Sequence, residues 1–200
     1  MSENFQQLIK KARDFHGHIC PPVLAGLRIG LKVREIFKDV LNKDRDILAI
    51  FETDACHADG VQIASGITFG RGDIRLKMMG KMGITFFDPE TRKGYRFLLL
   101  VEHLNEIREK LQAKVSDSEL AEWFMSLPDE TIWSVKEVLV NEKEVRAPVV
   151  HDSVICAKCG EFVKKTEPIS IGELPTMGLK SKSGKVCKYC AGKKYYEEIN

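Results

Sequence analysis

The chain has 200 residues, of which 44% are hydrophobic and 30% charged, and its formal net charge is +2. This composition is typical of a soluble protein of one to two domains with a hydrophobic core. The sequence has no run of about 18 apolar residues, and its first residues are polar. We therefore expect neither a membrane span nor a signal peptide, and we expect the protein in the cytoplasm.

Two helices are predicted on either side of a short motif at residues 15–22, F-H-G-H-I-C-P-P. The first helix is predicted to be amphipathic, because apolar residues recur at helical spacing over residues 5–12. It is predicted to end before Gly17. Pro21 and Pro22 suit the first turn of the second helix, which carries an apolar stripe to about residue 41. Gly26 and Gly30 lie on that stripe, where they would allow another backbone to approach closely.

Five strands are predicted from short apolar or alternating segments, at residues 47–53, 74–78, 84–88, 95–101 and 132–140. The first is almost continuously apolar, a pattern typical of a central strand buried on both faces. The turn at residues 80–83 predicts that the second and third strands form a hairpin.

Three further helices are predicted, over residues 61–68 with Asp59 as the N-cap, over residues 104–111, and over residues 116–127 with a Ser116–Glu119 capping box.

The charged stretch around Pro148 predicts the domain boundary. We expect a core domain at residues 1–144 and a small C-terminal domain at residues 145–200. Residues 156–200 hold nine lysines against five glutamates, so this second domain is basic.

Four of the six cysteines form two C-x-x-C pairs near the C-terminus, Cys156 with Cys159 and Cys187 with Cys190. Such pairs in a reducing compartment favour a metal site over a disulfide scaffold. Four thiolates can close a tetrahedral Zn²⁺ site, and about 45 residues need such a clamp to fold. Two unrelated cysteine pairs, or a dithiol redox motif, are the alternatives. The pattern predicts a structural zinc finger.

The motif at residues 15–22 is a second candidate site. If it is extended, His16, His18 and Cys20 project to one side. Pro21 pushes Cys20 into an extended conformation before a helix N-terminus, where the positive helix end favours a thiolate. Cys56 occupies a similar position after the first strand, next to His57 and Asp59. These thiols and imidazoles are expected to meet in one cleft, although a purely structural role is the alternative.

Four segments resemble the FmdE family, which is named for formylmethanofuran dehydrogenase: F-H-G-H-I-C-P-P-V-L-A-G-L-R at 15–28, C-H-A-D-G-V-Q at 56–62, S-G-I-T-F-G-R-G-D at 65–73 and G-K-M-G-I-T-F at 80–86. The resemblance covers about the first 140 residues. It implies an α+β fold, with a thioredoxin-like core around a five-stranded mixed sheet flanked by helices, followed by a treble-clef zinc finger.

The resemblance also implies an active or metal site at His18, Cys20 and Cys56. We place His16, His57 and Asp59 around this site, together with Lys81, for which a solvated turn position is the alternative. Members of the family commonly read T-G-C-T where Ile67 stands here, so one family ligand is missing. Metal binding in the core is therefore expected to be weaker or partial.

The leading interpretation is a metal-binding protein whose zinc finger recruits a partner and whose core is accessory to a molybdenum or tungsten redox enzyme. No Ser-His-Asp set, carboxylate pair or nucleotide fingerprint stands out, so the sequence assigns no reaction. The alternative is a nucleic-acid-associated regulator with a lysine-rich finger, although the lack of arginine there disfavours base-specific recognition. A homodimer is expected because it is the commonest assembly.

Overall fold

The computed structural model describes residues 5–43, 46–100, 116–141, 153–164 and 190–192. The chain divides into two compact units, Met1–Val145 and Arg146–Asn200. The helix predicted at residues 104–111 lies outside the described residues, as does Cys187.

The first unit is built on a five-stranded sheet with the strand order β2-β1-β3-β4-β5. Its strands are β1 (Leu48–Phe51), β2 (Ile74–Leu76), β3 (Gly83–Phe87), β4 (Lys93–Leu99) and β5 (Trp133–Leu139). The pair β1–β2 is parallel and the other pairs are antiparallel, so the sheet is mixed. The predicted α+β class, the five strands and the mixed sheet are confirmed, whereas a thioredoxin-like topology stays a prediction.

The predicted hairpin between the second and third strands is wrong, because β1 lies between them. A helix within residues 52–73 connects β1 to β2, and a crossover of this kind is the usual connection between parallel strands. The segment after β2 then passes around the end of β1, where the carbonyl of Glu52 accepts hydrogen bonds from the N–H groups of Met79 and Gly80. The turn at residues 80–83 therefore leads to the other side of β1.

The described helices of this unit are α1 (Phe5–His16), α2 (Pro21–Ile36), α3 (Lys38–Leu41), α4 (His57–Ser65), α5 (Asp117–Ser126) and α6 (Asp129–Ile132). The capping box of α5 is confirmed, with the Ser116 hydroxyl accepting from the Glu119 N–H group. The apolar stripe predicted for one helix is shared by α2 and α3. Within the described residues, no helix is both long enough and apolar enough to cross a membrane.

Helices α2 and α4 pack with their backbones in contact. A Cβ atom on Gly26 would lie 2.2 Å from the carbonyl oxygen of His57, and one on Gly60 would lie 2.1 Å from that of Val23. The close approach predicted at Gly26 and Gly30 is thus confirmed. Below the helices, Phe51, Phe86 and Phe97 are buried side chains of the main hydrophobic cluster on the sheet. This packing places the first turns of α2 and α4 side by side.

In the second unit, β6 (Ser153–Ile155) pairs antiparallel with β7 (Phe162–Lys164). The turn between these strands contains the first C-x-x-C pair. The N–H group of Gly160 donates to the carbonyl of Cys156 at 2.9 Å, and the φ angle of Gly160 is +77°. A left-handed residue of this kind favours glycine. The treble-clef arrangement stays a prediction.

Candidate metal centres

Two cysteines occupy equivalent positions in the first unit, immediately before helices. Cys20 is the N-cap of α2 and has the extended conformation that the sequence predicts, with φ −144° and ψ 159°. Cys56 is the N-cap of α4. The prediction of Asp59 as this cap is wrong, since Asp59 lies inside the first turn. Because α2 and α4 touch near their starts, the two thiols come together.

Four side chains of the first unit present donor atoms to one another: His16, His18, Cys20 and Cys56. Each offers one nitrogen or sulfur, and the four atoms all lie within 4.8 Å of one another. Both thiols are free rather than joined in a disulfide. The structure thus brings the three predicted site residues together and adds His16, which the sequence placed around the site.

His16 is held by a carboxylate from another helix. It is the last residue of α1 rather than part of an extended segment, so the geometry assumed for residues 16–20 is wrong there. Its Nδ1 lies 2.7 Å from Oδ2 of Asp59, and its Nε2 lies 4.0 Å from Sγ of Cys20. A proton on Nδ1 is donated to Asp59, which leaves the Nε2 lone pair for a metal ion.

The surroundings of Cys20 favour its protonated thiol over the thiolate. Burial raises its pKa to about 11, the N–H group of Val23 opposes this, and the neighbouring Cys56 raises the pKa further. Burial therefore opposes the thiolate that the sequence predicts at Cys20, because loss of hydration outweighs the positive helix end. A bound cation reverses this balance, since metal binding displaces thiol protons.

The other predicted neighbours lie outside the group of four donors. His57 is fully buried and neither ring nitrogen has a hydrogen-bond partner among the described residues; burial lowers its pKa to about 4. The positive charge of Lys81 lies near Glu52 rather than in the group of four donors. The pKa of Glu52 is lowered mainly by Arg96 and to a smaller extent by Lys81. Ile67 is 6% exposed and belongs to the hydrophobic core.

A second sulfur cluster lies in the C-terminal unit. The Sγ atoms of Cys156, Cys159 and Cys190 all lie within 4.8 Å of one another. Cys156 is buried, Cys190 is half-buried and Cys159 is exposed. Three of the four predicted ligands therefore meet, and the fourth, Cys187, belongs to the part of the chain that the structure leaves undescribed.

Two known proteins resemble this chain over most of its length. A "probable S-adenosyl-L-methionine-binding protein" of Archaeoglobus fulgidus is 29% identical over 211 residues, which cover 94% of this chain and 54% of the relative. The chain thus spans about half the length of that relative. The crystal structure of a tungsten formylmethanofuran dehydrogenase FmdE-like protein from Syntrophus aciditrophicus matches with a TM-score of 0.65 and 24% identity, covering 98% of this chain and 96% of that one. This likeness shows the fold.

The family is shown by a match to a family model over more than half of the chain. The model of the family described as "FmdE, Molybdenum formylmethanofuran dehydrogenase operon" matches residues 15–145. That range contains all four donor residues of the first unit. This chain therefore belongs to the FmdE family.

Proposed function

We propose that this protein binds Zn²⁺ at two sites and serves as an accessory protein to a molybdenum or tungsten redox enzyme. The core site uses His16, His18, Cys20 and Cys56. The C-terminal site uses its four cysteines, Cys156, Cys159, Cys187 and Cys190, and builds a structural module that recruits a protein partner. The observation that carries this proposal is the convergence of four nitrogen and sulfur donors in the core.

The donor set of the core fits a zinc ion. Zn²⁺ takes imidazole nitrogens at about 2.0–2.1 Å and thiolate sulfurs at about 2.3 Å in tetrahedral sites, so ligand atoms lie roughly 3.3–3.8 Å apart. The four donors here already lie within 4.8 Å of one another, so small side-chain rotations suffice. His16 supplies the fourth ligand that Ile67 does not, which removes the reason to expect a weakened core site.

The chain's own residues prepare this centre in two ways. Asp59 orients His16 by accepting its Nδ1 proton, which is the usual arrangement around metal-bound histidine. The Val23 N–H group bonds Cys20 and favours its thiolate. A bound Zn²⁺ would supply positive charge at this position.

The accessory role rests on the family description, which names a molybdenum formylmethanofuran dehydrogenase operon. Proteins encoded together commonly serve one enzyme, and a Cys/His centre suits transfer of a metal ion or of a small ligand to that enzyme. The lysine-rich C-terminal unit supplies positive charge for docking on an acidic protein surface.

Metal analysis tests the two sites. Protein purified without chelators should contain two equivalents of zinc, and Cys20→Ala should contain one, because only the core centre is lost. The matched control is Cys20→Ser, which replaces the thiol by a smaller hydroxyl and so removes the sulfur ligand while leaving a polar side chain; it too should contain one equivalent. A single equivalent in the wild type that persists in Cys20→Ala would contradict the core centre and leave the C-terminal cluster as the zinc site.

A further inference from the structure

The two histidines of the core centre are held in different ways. The His16 side chain is only 11% exposed, and Asp59 on α4 bonds its Nδ1 at 2.7 Å. Its other ring nitrogen faces Cys20. Both nitrogens of His16 are therefore engaged, and two helices, α1 and α4, determine where the ring lies.

His18 is held much less firmly. It is exposed and lies in the short connection between α1 and α2. Its ring packs against that of His16, with a centroid distance of 4.5 Å, and no hydrogen bond joins it to another residue in the described part of the chain. The adjacent Gly17 has a φ angle of +88°, and nothing lies within 4 Å of the position of a Cβ there. The connection thus has room to move.

We propose that His18 is the exchangeable ligand of the core centre. This inference rests on the metal-binding function proposed above. His16, Cys20 and Cys56 hold the ion, while the imidazole of His18 leaves and one donor atom of a small molecule from solvent takes its place. The exchange changes no oxidation state.

The chemical class of the incoming molecule follows from the position that it takes. Two thiolates and an imidazole make a borderline-soft site, which prefers nitrogen and sulfur donors to carboxylate oxygen. The molecule enters at the exposed side of the centre. The structure therefore assigns to this position a small ligand with an imidazole-like nitrogen or a thiolate.

With an exchangeable His18, the core centre combines features of structural and catalytic zinc sites. Structural sites have four protein ligands, whereas catalytic sites have three and an open position for a small molecule. Here the fourth ligand is present but is the most exposed of the four donors. The centre is closed without a ligand and opens by movement of one side chain.

The experiment compares His18→Ala with His16→Ala in the full chain loaded with Co²⁺, whose absorption spectrum reports the number and type of ligands. Subtraction of the Cys56→Ala spectrum removes the contribution of the C-terminal cysteines. We expect His18→Ala to retain the core ion with affinity reduced less than about tenfold, and His16→Ala to lose about a hundredfold or more. Asp59→Asn should lose about 10–100-fold, as is usual when the partner of a metal-bound histidine is removed.

Added imidazole provides the decisive measurement. In His18→Ala it should restore the wild-type cobalt spectrum, because free imidazole occupies the vacated position. In His16→Ala it should not, because that position is enclosed. The inference is overturned if both variants lose the ion equally, or if imidazole leaves the His18→Ala spectrum unchanged, although the centre itself then stands. A wild type that takes up no core metal overturns both the inference and the proposed function.

Discussion

Glu52 is a buried carboxylate that forms an ion pair with an arginine of β4. It follows β1 and accepts two hydrogen bonds from Arg96 on β4, Nε to Oε1 at 2.7 Å and Nη2 to Oε2 at 2.8 Å. These bonds lower the pKa of Glu52, and its burial opposes them. This ion pair fixes the start of the segment 52–56, which leads to Cys56, against β4. The ionised carboxylate thus contributes to the position of the core centre.

Glu52→Gln should lower the free energy of unfolding by about 2 kcal/mol at neutral pH, because Arg96 loses its charged partner while staying partly solvated. The pKa of Glu52 is lower in the folded state than its unfolded value of about 4.3, so the ion pair stabilises the protein fully above that value. This contribution is lost as the pH falls through the folded pKa. Urea unfolding of wild type and variant between neutral and acidic pH measures both effects.

The control for Glu52→Gln is Asp14→Asn, which removes an exposed helical ion pair with Lys10. Its effect should be below about 0.5 kcal/mol, as for most exposed pairs. The difference in free energy of unfolding between wild type and Glu52→Gln should shrink on acidification. A difference that stayed constant would show that the ion pair is not its source.

The contact between α2 and α4 determines the separation of the two thiols of the core centre. Each helix carries one cysteine at its N-cap, and the helices meet through Gly26 and Gly60. A side chain at either glycine would push the helices apart near the ends that carry the thiols. Stability and metal affinity are therefore coupled through one helix contact.

Gly26→Ala should destabilise the protein by about 3 kcal/mol or more, since its Cβ would meet a backbone oxygen that has no room to move. The affinity of the core site for Co²⁺ should fall with it, because Cys20 and Cys56 separate. Thermal unfolding and a chelator competition measure the two effects. Gly70→Ala is the control, because nothing lies within 4 Å of its added Cβ. Unchanged metal affinity in a folded Gly26→Ala protein would contradict the coupling.

Patterns along the chain predict elements better than they predict contacts between elements. The five strands and the helices α1, α2 and α5 follow from apolar spacing and caps, which are local properties. The insertion of β1 between β2 and β3 depends on a crossover through α4, which local turn residues do not encode. The role of His16 depends on Asp59, which lies 43 residues away. An acidic residue in a first helical turn resembles an ordinary cap, so the sequence alone does not indicate its bond to His16.

At the scale of the whole molecule, each compact unit contains its own group of thiols. The first unit has an extensive hydrophobic core, so it does not need a metal ion to fold. The second unit spans residues 146–200, and a unit of this size buries little apolar surface, so its stability without a metal ion or disulfide is marginal. A metal ion should therefore supply much of the folding energy of the second unit and little of that of the first.

Cys190→Ala should accordingly unfold the C-terminal unit and leave the core centre intact. The zinc content should fall from two equivalents to one, and trypsin should cut the lysine-rich segment rapidly. The free energy of unfolding of the first unit should change by less than about 0.5 kcal/mol, because this unit has its own hydrophobic core. Lys158→Ala is the control, since this exposed side chain lies between two cysteines but offers no thiolate. A C-terminal unit that resisted trypsin after loss of its zinc would show that apolar packing alone maintains its fold.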